Sequence, residues 1–459
     1  MEHLTQLLSR FLADLRYEDL PKEAVETTKL YILDYYAACC AGIRVNETFN
    51  HAVEDILFEM GGKEEASVFA SSRKLPAMNA AFLNAAYAHG ADMDDGNRKA
   101  MGHVAAHVMS AVFALAETLE VSGKDIILAI NAGYEVYNRI AAAVQPGLVR
   151  RGFHSTGTAG AVACGAAAAK LLGLGEQQIY AAISLSAVQA SGLMIITESG
   201  QSCKSVNPAN AARTGILSAK LAAKGIQAPK YPLESNKGWL HAMSDHVDER
   251  AITDGLGKTF TICESYLKPY PSCRHTHCGI EGALRIRQQI LETYGRVCQR
   301  DIADIAVDIY PNAIAIAGQI RLPKTDEDSK FSIHYSLACA LMKGHFGLED
   351  LPVSAVDADI EAVTEKIRLV EDGTMENRAE GIRGCRVTIR MEDGTIYTET
   401  VLIPKGDAAN PFTKQEMQAK LQSCAAGLLT QAQQEQLTAF TEGFDGIERF
   451  SSVNAFFEK

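Results

Sequence analysis

The sequence predicts a mainly α-helical protein in which a large all-helical domain is joined to a smaller α+β domain. Apolar residues recur at helical spacing through most of the first 260 residues. Alternation of apolar and polar residues with period two begins only after about residue 265, and helical spacing returns near the C-terminal end. We therefore expect residues 1–265 and 406–459 to form the helical domain and residues 266–405 to form the α+β domain.

The first part of the chain contains several strong helix patterns. Apolar residues at helical spacing occupy 22–42, 80–93 and 122–144. Ser122 followed by Asp125 predicts a capping box at the start of the third of these helices. Residues 107–120 and 158–174 are apolar or small on nearly all sides, so we expect two central, closely packed helices there.

The C-terminal part combines strands and helices. Period-two alternation predicts strands at 304–311, 385–391 and 395–403, with helices at 331–344 and 410–429. Residues 392–394 (Glu-Asp-Gly) separate the last two strands and indicate a hairpin turn. The last helix is expected to return to the helical domain.

Composition and charge exclude several classes of partner. The chain carries a net charge of −12 over 459 residues, whereas nucleic acids and anionic membranes bind basic faces. It has no apolar run of the ~18 residues needed to cross a bilayer, and its N-terminus lacks the layout of a signal peptide. The eleven cysteines are scattered without a CxxC motif, which is typical of reduced thiols. We expect a cytoplasmic protein with neither a nucleic-acid nor a membrane partner.

One stretch concentrates titratable side chains. Residues 89–107, HGADMDDGNRKAMGHVAAH, hold three aspartates and three histidines. His103 and His107 are four residues apart and are expected to lie on one helix face. That spacing also occurs in zinc-binding helices, but Val104 stands where such helices carry the general-base glutamate.

Three interpretations of this stretch remain open. Asp92, Asp94 and Asp95 could ligate Mg²⁺ or Ca²⁺, although a calcium loop has more regular oxygen spacing. The aspartates could instead cap helices while the histidines pack in the core. The third interpretation is an acid/base cluster that moves protons on an organic acid.

Cations and donors recur near other predicted helix starts. His154 precedes Ser155 and a glycine-punctuated helix, whose free N–H groups suit a carboxylate. Lys204 lies on a polar loop, and Asn207 and Pro208 are expected to be the N-cap and first residue of the next helix.

Two further groups of polar side chains complete the candidate set. Lys268, Arg274, His275 and His277 cluster before another predicted helix, and Tyr137 lies late in the 122–144 helix. Cationic loops beside a histidine/aspartate cluster are what binding of a di- or tricarboxylate and proton transfer at its α-carbon require.

Three segments resemble the MmgE/PrpD family. AHGADMDDGNRKAMGHVAAHVMSAVFALAE (88–117) resembles its H-x-x-D-x-D-D…H-P block, GFHSTGTAGAVACGAAAAKLLGL (152–174) its G-F-H helix, and KPYPSCRHTHCGIEGAL (268–284) its K-x-Y-P segment. Order and spacing match over nearly the whole chain. Members of that family include 2-methylcitrate dehydratase, cis-aconitate decarboxylase and iminodisuccinate epimerase. The resemblance implies a helical domain built from both chain ends, a lid-like α+β domain, a homodimer, and neither cofactor nor metal.

The resemblance also transfers residue roles. It implies that Asp92, His103, His154, Lys204 and Lys268 line the catalytic cavity. Two departures are present. Gly96 stands where the family often has threonine, and Val104 replaces the proline of the H-P pair, after a loop that is one residue longer than usual.

A mechanism is expected from these residues. His103 and His154 would be the proton donor and acceptor, with Asp92 orienting one imidazole. Lys204, Lys268 and Arg274 would hold carboxylates and stabilise enolate-like charge. Further substrate-binding contacts are expected from His275, Tyr137, Asp95 and Ser155. The same set could serve a dehydratase, a decarboxylase or an epimerase, or a family member that only binds carboxylates.

Overall fold

The computed structural model describes residues 3–197, 201–377 and 381–456, and its secondary structure is mainly α-helical. The α-helices are α1 (Leu4–Asp14), α2 (Lys22–Val45), α3 (Glu47–Met60), α4 (Ala77–Gly90), α5 (Ala105–Ala116), α6 (Gly123–Ala143), α7 (Gly147–Arg150), α8 (Ser155–Leu171), α9 (Glu176–Ala187), α10 (Val206–Ala223), α11 (Trp239–Met243), α12 (Arg250–Thr253), α13 (His277–Tyr294), α14 (Pro311–Ala317), α15 (Asp326–Ser329), α16 (Ile333–Lys343), α17 (Ala358–Lys366), α18 (Lys414–Ala425) and α19 (Gln431–Glu442). The β-strands are β1 (Ala66–Ser67), β2 (Lys74–Leu75), β3 (Ile302–Ile309), β4 (Ile367–Glu371), β5 (Glu376–Asn377), β6 (Ile382–Arg383), β7 (Cys385–Met391) and β8 (Ile396–Val401).

Internal contacts divide the chain into two compact units. The first unit consists of Met1–Gly90, Asp94–Leu267 and Thr413–Lys459, and the second of Ala91–Met93 and Lys268–Phe412. The three residues Ala91–Met93 therefore pack with the second unit, whereas the sequence pattern assigns them to the helical domain.

The core of the first unit is made of helices with small side chains. α8 contacts α6, α9 and α10, and α4 contacts α2, α5 and α10. Nearly every residue of α8 is buried, as its apolar and small composition predicts. At the closest approach, a Cβ on Gly215 of α10 would lie only 2.2 Å from the Cβ of Cys164 in α8. Glycine at this position therefore lets the two helix backbones pack tightly.

The second unit is built on a four-stranded sheet. Its strand order is β4-β3-β7-β8, with β3 and β4 parallel and the other pairs antiparallel. Helix α13 packs on β7 and β8, and α16 packs on α13. The inward residues Ile305, Val307 and Ile309 of β3 are fully buried, as period-two alternation predicts.

Several predicted local features are confirmed. Ser122 and Asp125 form the capping box at the start of α6. β7 and β8 pair as the predicted hairpin, and Gly394 in its turn has a φ of 90°. A glycine tolerates this left-handed conformation without the steric cost that a Cβ would add.

Two predicted helix starts are wrong. α5 begins at Ala105, so His103 precedes the helix and does not share a helical face with His107. α10 begins at Val206 with Ser205 as its N-cap, so Asn207 lies inside the first turn. In both cases the side chain of His103 or Asn207 forms a hydrogen bond, described below, with a residue outside its own helix turn. That contact replaces the predicted role within the helix.

Residues 198–200 of the polar loop before Lys204 lie outside the described residues. Across the part of the chain that is described, none of the helices combines the length and apolar character that crossing a bilayer demands.

Candidate active site

The loop between α4 and α5 is shaped by its own polar groups. The N–H of Asn97 donates to the carbonyl of Gly102 at 2.9 Å. The side-chain oxygen of Asn97 accepts from the N–H groups of Lys99 and Ala100, both at 3.0 Å. The Ala100 carbonyl in turn accepts from the Ser155 hydroxyl at 2.9 Å. Ser155, predicted as a substrate contact, therefore ties this loop to the start of α8.

Asp95 caps the helix that follows the loop. Its Oδ1 accepts from the N–H groups of Val104 and Ala105 at 3.0 and 2.8 Å, and its Oδ2 accepts from the Tyr134 hydroxyl at 2.6 Å. The carboxylate is fully buried, and burial raises its pKa. Both oxygens of Asp95, a predicted substrate contact, are thus engaged within the protein and stabilise the start of α5.

The backbone of Asp95 also orients His103. The Nδ1 of His103 lies 2.7 Å from the Asp95 carbonyl oxygen. Because a carbonyl can only accept a hydrogen bond, Nδ1 carries the hydrogen. In the neutral ring, Nε2 then carries the lone pair that a general base needs.

Asp94 joins His103 to a second imidazole that sequence spacing did not single out. Asp94 Oδ2 lies 2.8 Å from Nδ1 of His89, and Oδ1 lies 3.3 Å from Nδ1 of His103, whose hydrogen is directed at the Asp95 carbonyl. The rings of His89 and His103 meet edge to face with centroids 4.7 Å apart. The only sequence signal for His89 was its position at the head of the aspartate/histidine stretch.

The charge states in this cluster follow from burial. Burial lowers the pKa of His89 to about 4, although Asp94 opposes the shift, so His89 is neutral near pH 7. Burial by itself would raise the pKa of Asp94, but His103 and His89 hold it well below its ordinary value. One buried carboxylate therefore lies between two imidazoles.

Asn207 gives His154 a hydrogen-bonding pattern opposite to that of His103. His154 is the N-cap residue of α8, and its Nδ1 lies 2.9 Å from the amide nitrogen of Asn207. Because that amide group donates, Nδ1 of His154 is the acceptor and Nε2 carries the hydrogen. The His154 ring centroid lies 6.1 Å from that of His89. The sequence predicts Asn207 only as a helix cap, whereas in the structure its side-chain amide orients the His154 ring.

The side chain of Lys204 lies close to His89. Its side chain is buried, and its charge contributes to the lowered pKa of His89, after the larger effect of burial. The first unit thus brings His103, His154 and Lys204 together with His89 and Asp94.

Tyr137 and His107 form the layer behind these residues. The Tyr137 hydroxyl lies 3.1 Å from the Ser155 hydroxyl, and its ring packs against His107 with centroids 5.2 Å apart. Both nitrogens of the fully buried His107 lack a hydrogen-bond partner among the described residues, and burial lowers the pKa of His107 to about 3. His107 is therefore a neutral core residue.

The second unit contains its own ion pair. Lys268 is 1% exposed, and its ammonium contacts Asp92 twice, donating to the carbonyl at 2.8 Å and lying 3.1 Å from Oδ2. Asp92 has a φ of 53°, a left-handed conformation that is uncommon for residues other than glycine. Strained backbone of this kind clusters at functional sites.

Arg274 and His275 are held by neighbours in the same unit. The Arg274 guanidinium donates to the carbonyls of Lys405 and Pro404 at 2.9 and 3.2 Å. His275 is hydrogen-bonded through Nδ1 to the hydroxyl of Tyr310, and burial lowers the pKa of His275 to about 3. The contact with Tyr310 had no signal in the sequence, because the two residues are far apart in the chain.

The metal interpretation can be tested against this geometry. His89, Asp94 and His103 offer ligand atoms within 4.8 Å of one another. Nδ1 of His103 donates to a backbone carbonyl, so Nε2 is the nitrogen of this ring that could take a proton or bind a metal ion. The effect of a chelator on activity distinguishes these two roles.

Comparison with known proteins identifies relatives over the full length. Residues 6–251 match the MmgE/PrpD N-terminal domain and residues 270–445 match the MmgE/PrpD C-terminal domain. A cis-aconitate decarboxylase from Aspergillus terreus is 27% identical over 98% of this chain and 95% of its own length. A cis-aconitate decarboxylase-like protein from Aspergillus oryzae is 26% identical over 93% and 91%, respectively. The cis-aconitate decarboxylase of Homo sapiens is 23% identical over 98% and 93%.

Proposed function

The chain belongs to the MmgE/PrpD family, and from this premise we propose that it is a cofactor-independent lyase that removes CO₂ or water from a small di- or tricarboxylic acid. The names of the relatives support a lyase-type enzyme and make decarboxylation the first reaction to test. The proposal includes two further expectations, a cytoplasmic location and a homodimer.

The observation that carries the proposal is the opposite hydrogen bonding of two imidazoles. His103 donates through Nδ1 and so presents a lone pair on Nε2, whereas His154 accepts at Nδ1 and so presents a hydrogen on Nε2. A protein that only binds carboxylates has no need of one basic and one acidic imidazole. We assign His103 as the general base and His154 as the general acid.

This assignment accounts for both lyase reactions. In a dehydration, Nε2 of His103 takes the α-proton, and Nε2–H of His154 protonates the hydroxyl that leaves as water. In a decarboxylation, the C–C bond to the departing carboxylate breaks, its electron pair stays on the substrate carbon, and Nε2–H of His154 protonates that carbon. The ammonium group of Lys204 binds a remaining carboxylate and stabilises the transient negative charge. Arg274 and Lys268 have weaker parts, because the guanidinium already donates to two carbonyls and the ammonium already contacts the carbonyl and carboxylate of Asp92.

Site variants test the proposal directly. His103→Ala and Lys204→Ala should each keep the helical circular dichroism spectrum and lose at least about 100-fold in turnover of the acid that the wild type uses. His51→Ala on α3 and Lys224→Ala after α10 are matched controls and should keep wild-type rates, because both side chains are exposed outside this cluster. Wild-type turnover in both site variants would contradict the assignment.

The reaction type is tested with proton NMR in D₂O. The purified protein is incubated with citrate, cis-aconitate and aspartate-like acids. A new alkene or loss of CO₂ would support the lyase, and deuterium uptake at an α-carbon without net conversion would replace it by the epimerase. Activity that disappears with a chelator and returns with one metal ion would overturn cofactor independence.

A further inference from the structure

Gly96 and Tyr266 form a close backbone pair beside the candidate catalytic cluster. The N–H of Gly96 donates to the Tyr266 carbonyl at 2.9 Å, and the N–H of Tyr266 donates to the Gly96 carbonyl at 2.8 Å. Gly96 directly follows Asp95, whose carbonyl orients His103. The pair therefore places Tyr266, which is 170 residues further along the chain, next to the segment that fixes which nitrogen of His103 carries the hydrogen.

The side chain of Tyr266 occupies the space that a side chain at position 96 would need. A Cβ built on Gly96 would lie 2.4 Å from the Tyr266 hydroxyl oxygen and 2.5 Å from the ring carbon that bears it. The hydroxyl oxygen of a serine or threonine lies one bond beyond its Cβ. The phenol of Tyr266 thus places a hydroxyl close to where a serine or threonine at position 96 would place its own.

The surroundings of Tyr266 are those of the candidate active site. Tyr266 is only 7% exposed. It contributes to the raised pKa of Tyr137, which is caused mainly by burial. The Tyr137 hydroxyl lies 2.1 Å from a Cβ built on Gly102, the residue before His103. Tyr266 therefore packs on Gly96, and Tyr137 packs on Gly102, at the two ends of the loop that leads to His103.

We propose that Tyr266 is a specificity-determining residue: its hydroxyl donates a hydrogen bond to one carboxylate or hydroxyl of the substrate, and its ring limits the size of the acid at that point. The inference rests on the proposed function, because it names a substrate contact of the same site. A buried phenol is neutral at pH 7 and donates one hydrogen bond without adding charge. The site therefore discriminates between acids that carry an acceptor at this point and analogues that lack it.

The first test removes only the hydroxyl. Tyr266→Phe should keep the wild-type unfolding temperature, and kcat/KM for the preferred acid should fall about 10- to 100-fold, the effect of losing a hydrogen bond to a charged group. For an analogue without the acceptor, kcat/KM should change less than about threefold. Tyr180→Phe in α9 is the control and should change neither value, since its hydroxyl accepts from the backbone N–H of Tyr231.

The second test removes the hydroxyl of Tyr266 and introduces one at position 96. Gly96→Ser alone should lower the unfolding temperature because its Cβ clashes with the phenol, and Tyr266→Leu alone should fold but lose discrimination between the two acids. The double variant, in which leucine makes room for serine, should recover stability and at least about fivefold of the lost discrimination, as coupling between contacting residues predicts.

The outcomes separate the inference from the proposed function. If the wild type turns over an acid and Tyr266→Phe leaves the ratio of kcat/KM values unchanged, the inference is wrong and the proposed function stands. If wild-type protein neither turns over nor is stabilised against unfolding by any acid of the panel, the proposed function fails and the inference fails with it.

Discussion

At the scale of single residues, two imidazoles owe their different chemistry to one contact each. His103 is oriented by a backbone carbonyl eight residues away, and His154 by the amide of a residue 53 positions away. Each contact fixes which nitrogen of the neutral ring carries the hydrogen. The division between base and acid is therefore decided by the neighbours of the histidines.

The role of Asn207 leads to a prediction. A carboxylate at this position can only accept, so Asn207→Asp should move the hydrogen of His154 to Nδ1 and remove the acid from Nε2. We expect kcat to fall about 10²- to 10⁴-fold with a much smaller change in KM, measured by steady-state kinetics. Asn210→Asp, one turn later on α10, adds the same charge and should keep more than half of the wild-type kcat. Equal effects of the two variants would show that added charge alone inhibits the protein.

At the scale of helices and strands, the start of α5 depends on one carboxylate. Asp95 satisfies two N–H groups at the helix start and the buried hydroxyl of Tyr134. The first N–H groups of a helix have no partner within the helix, so a buried start needs such a cap. The position of His103, just before this helix, is thus coupled to the cap.

The cap provides a stability prediction. Asp95→Ala should lower the free energy of unfolding by about 2–4 kcal/mol, since it combines the loss of a helix cap with a buried hydroxyl left without a partner. Urea denaturation followed by circular dichroism measures the change. The control is Thr413→Ala, which removes an exposed cap at the start of α18 and should cost about 1 kcal/mol. A loss below that of the control would contradict the structural role of Asp95.

The same scale shows what the sequence could predict. The helices with strong apolar patterns, the capping box at Ser122 and the hairpin of β7 and β8 depend on neighbours in the chain, and each was predicted. The starts of α5 and α10 were misplaced because Asp95 and Asn207 interact with partners outside their own turns. Residue type and spacing nominated His103 and His154, but the contacts of His89 and Tyr310 depend on tertiary packing that no local pattern encodes.

At the scale of the whole molecule, burial of histidines makes stability depend on pH. Burial lowers the pKa of His89 and His334 to about 4 and that of His107 and His275 to about 3. The unfolded chain binds protons at these sites below about pH 6.5, whereas the folded protein does not. The stabilisation is therefore present above pH 6.5 and is lost as the pH falls toward 4. Asp34 acts in the opposite direction, because burial raises its pKa to about 6.

A variant isolates one of these sites. Between pH 6 and pH 4.5, His107→Gln should reduce the slope of unfolding free energy against pH by about 1.4 kcal/mol per pH unit, the value for one proton. Denaturant titrations at several pH values measure the slope. His51→Gln on α3, which replaces an exposed histidine, is the matched control. If both variants have the wild-type slope, His107 binds its proton equally in the folded and the unfolded chain, and burial does not lower its pKa.

Ala91–Met93 belong to the second unit, although the segments on both sides of them belong to the first. These three residues therefore limit how the two units can be expressed separately. A gene fragment that encodes only residues 268–412 omits Asp92, which supplies both the carboxylate and the carbonyl contacted by the Lys268 ammonium. Such a fragment would bury a cation without its counter-ion, at a cost of several kcal/mol. Separate expression of the two units would therefore need residues 91–93 to be grafted onto the second, for example through a short glycine-rich connection ahead of Lys268.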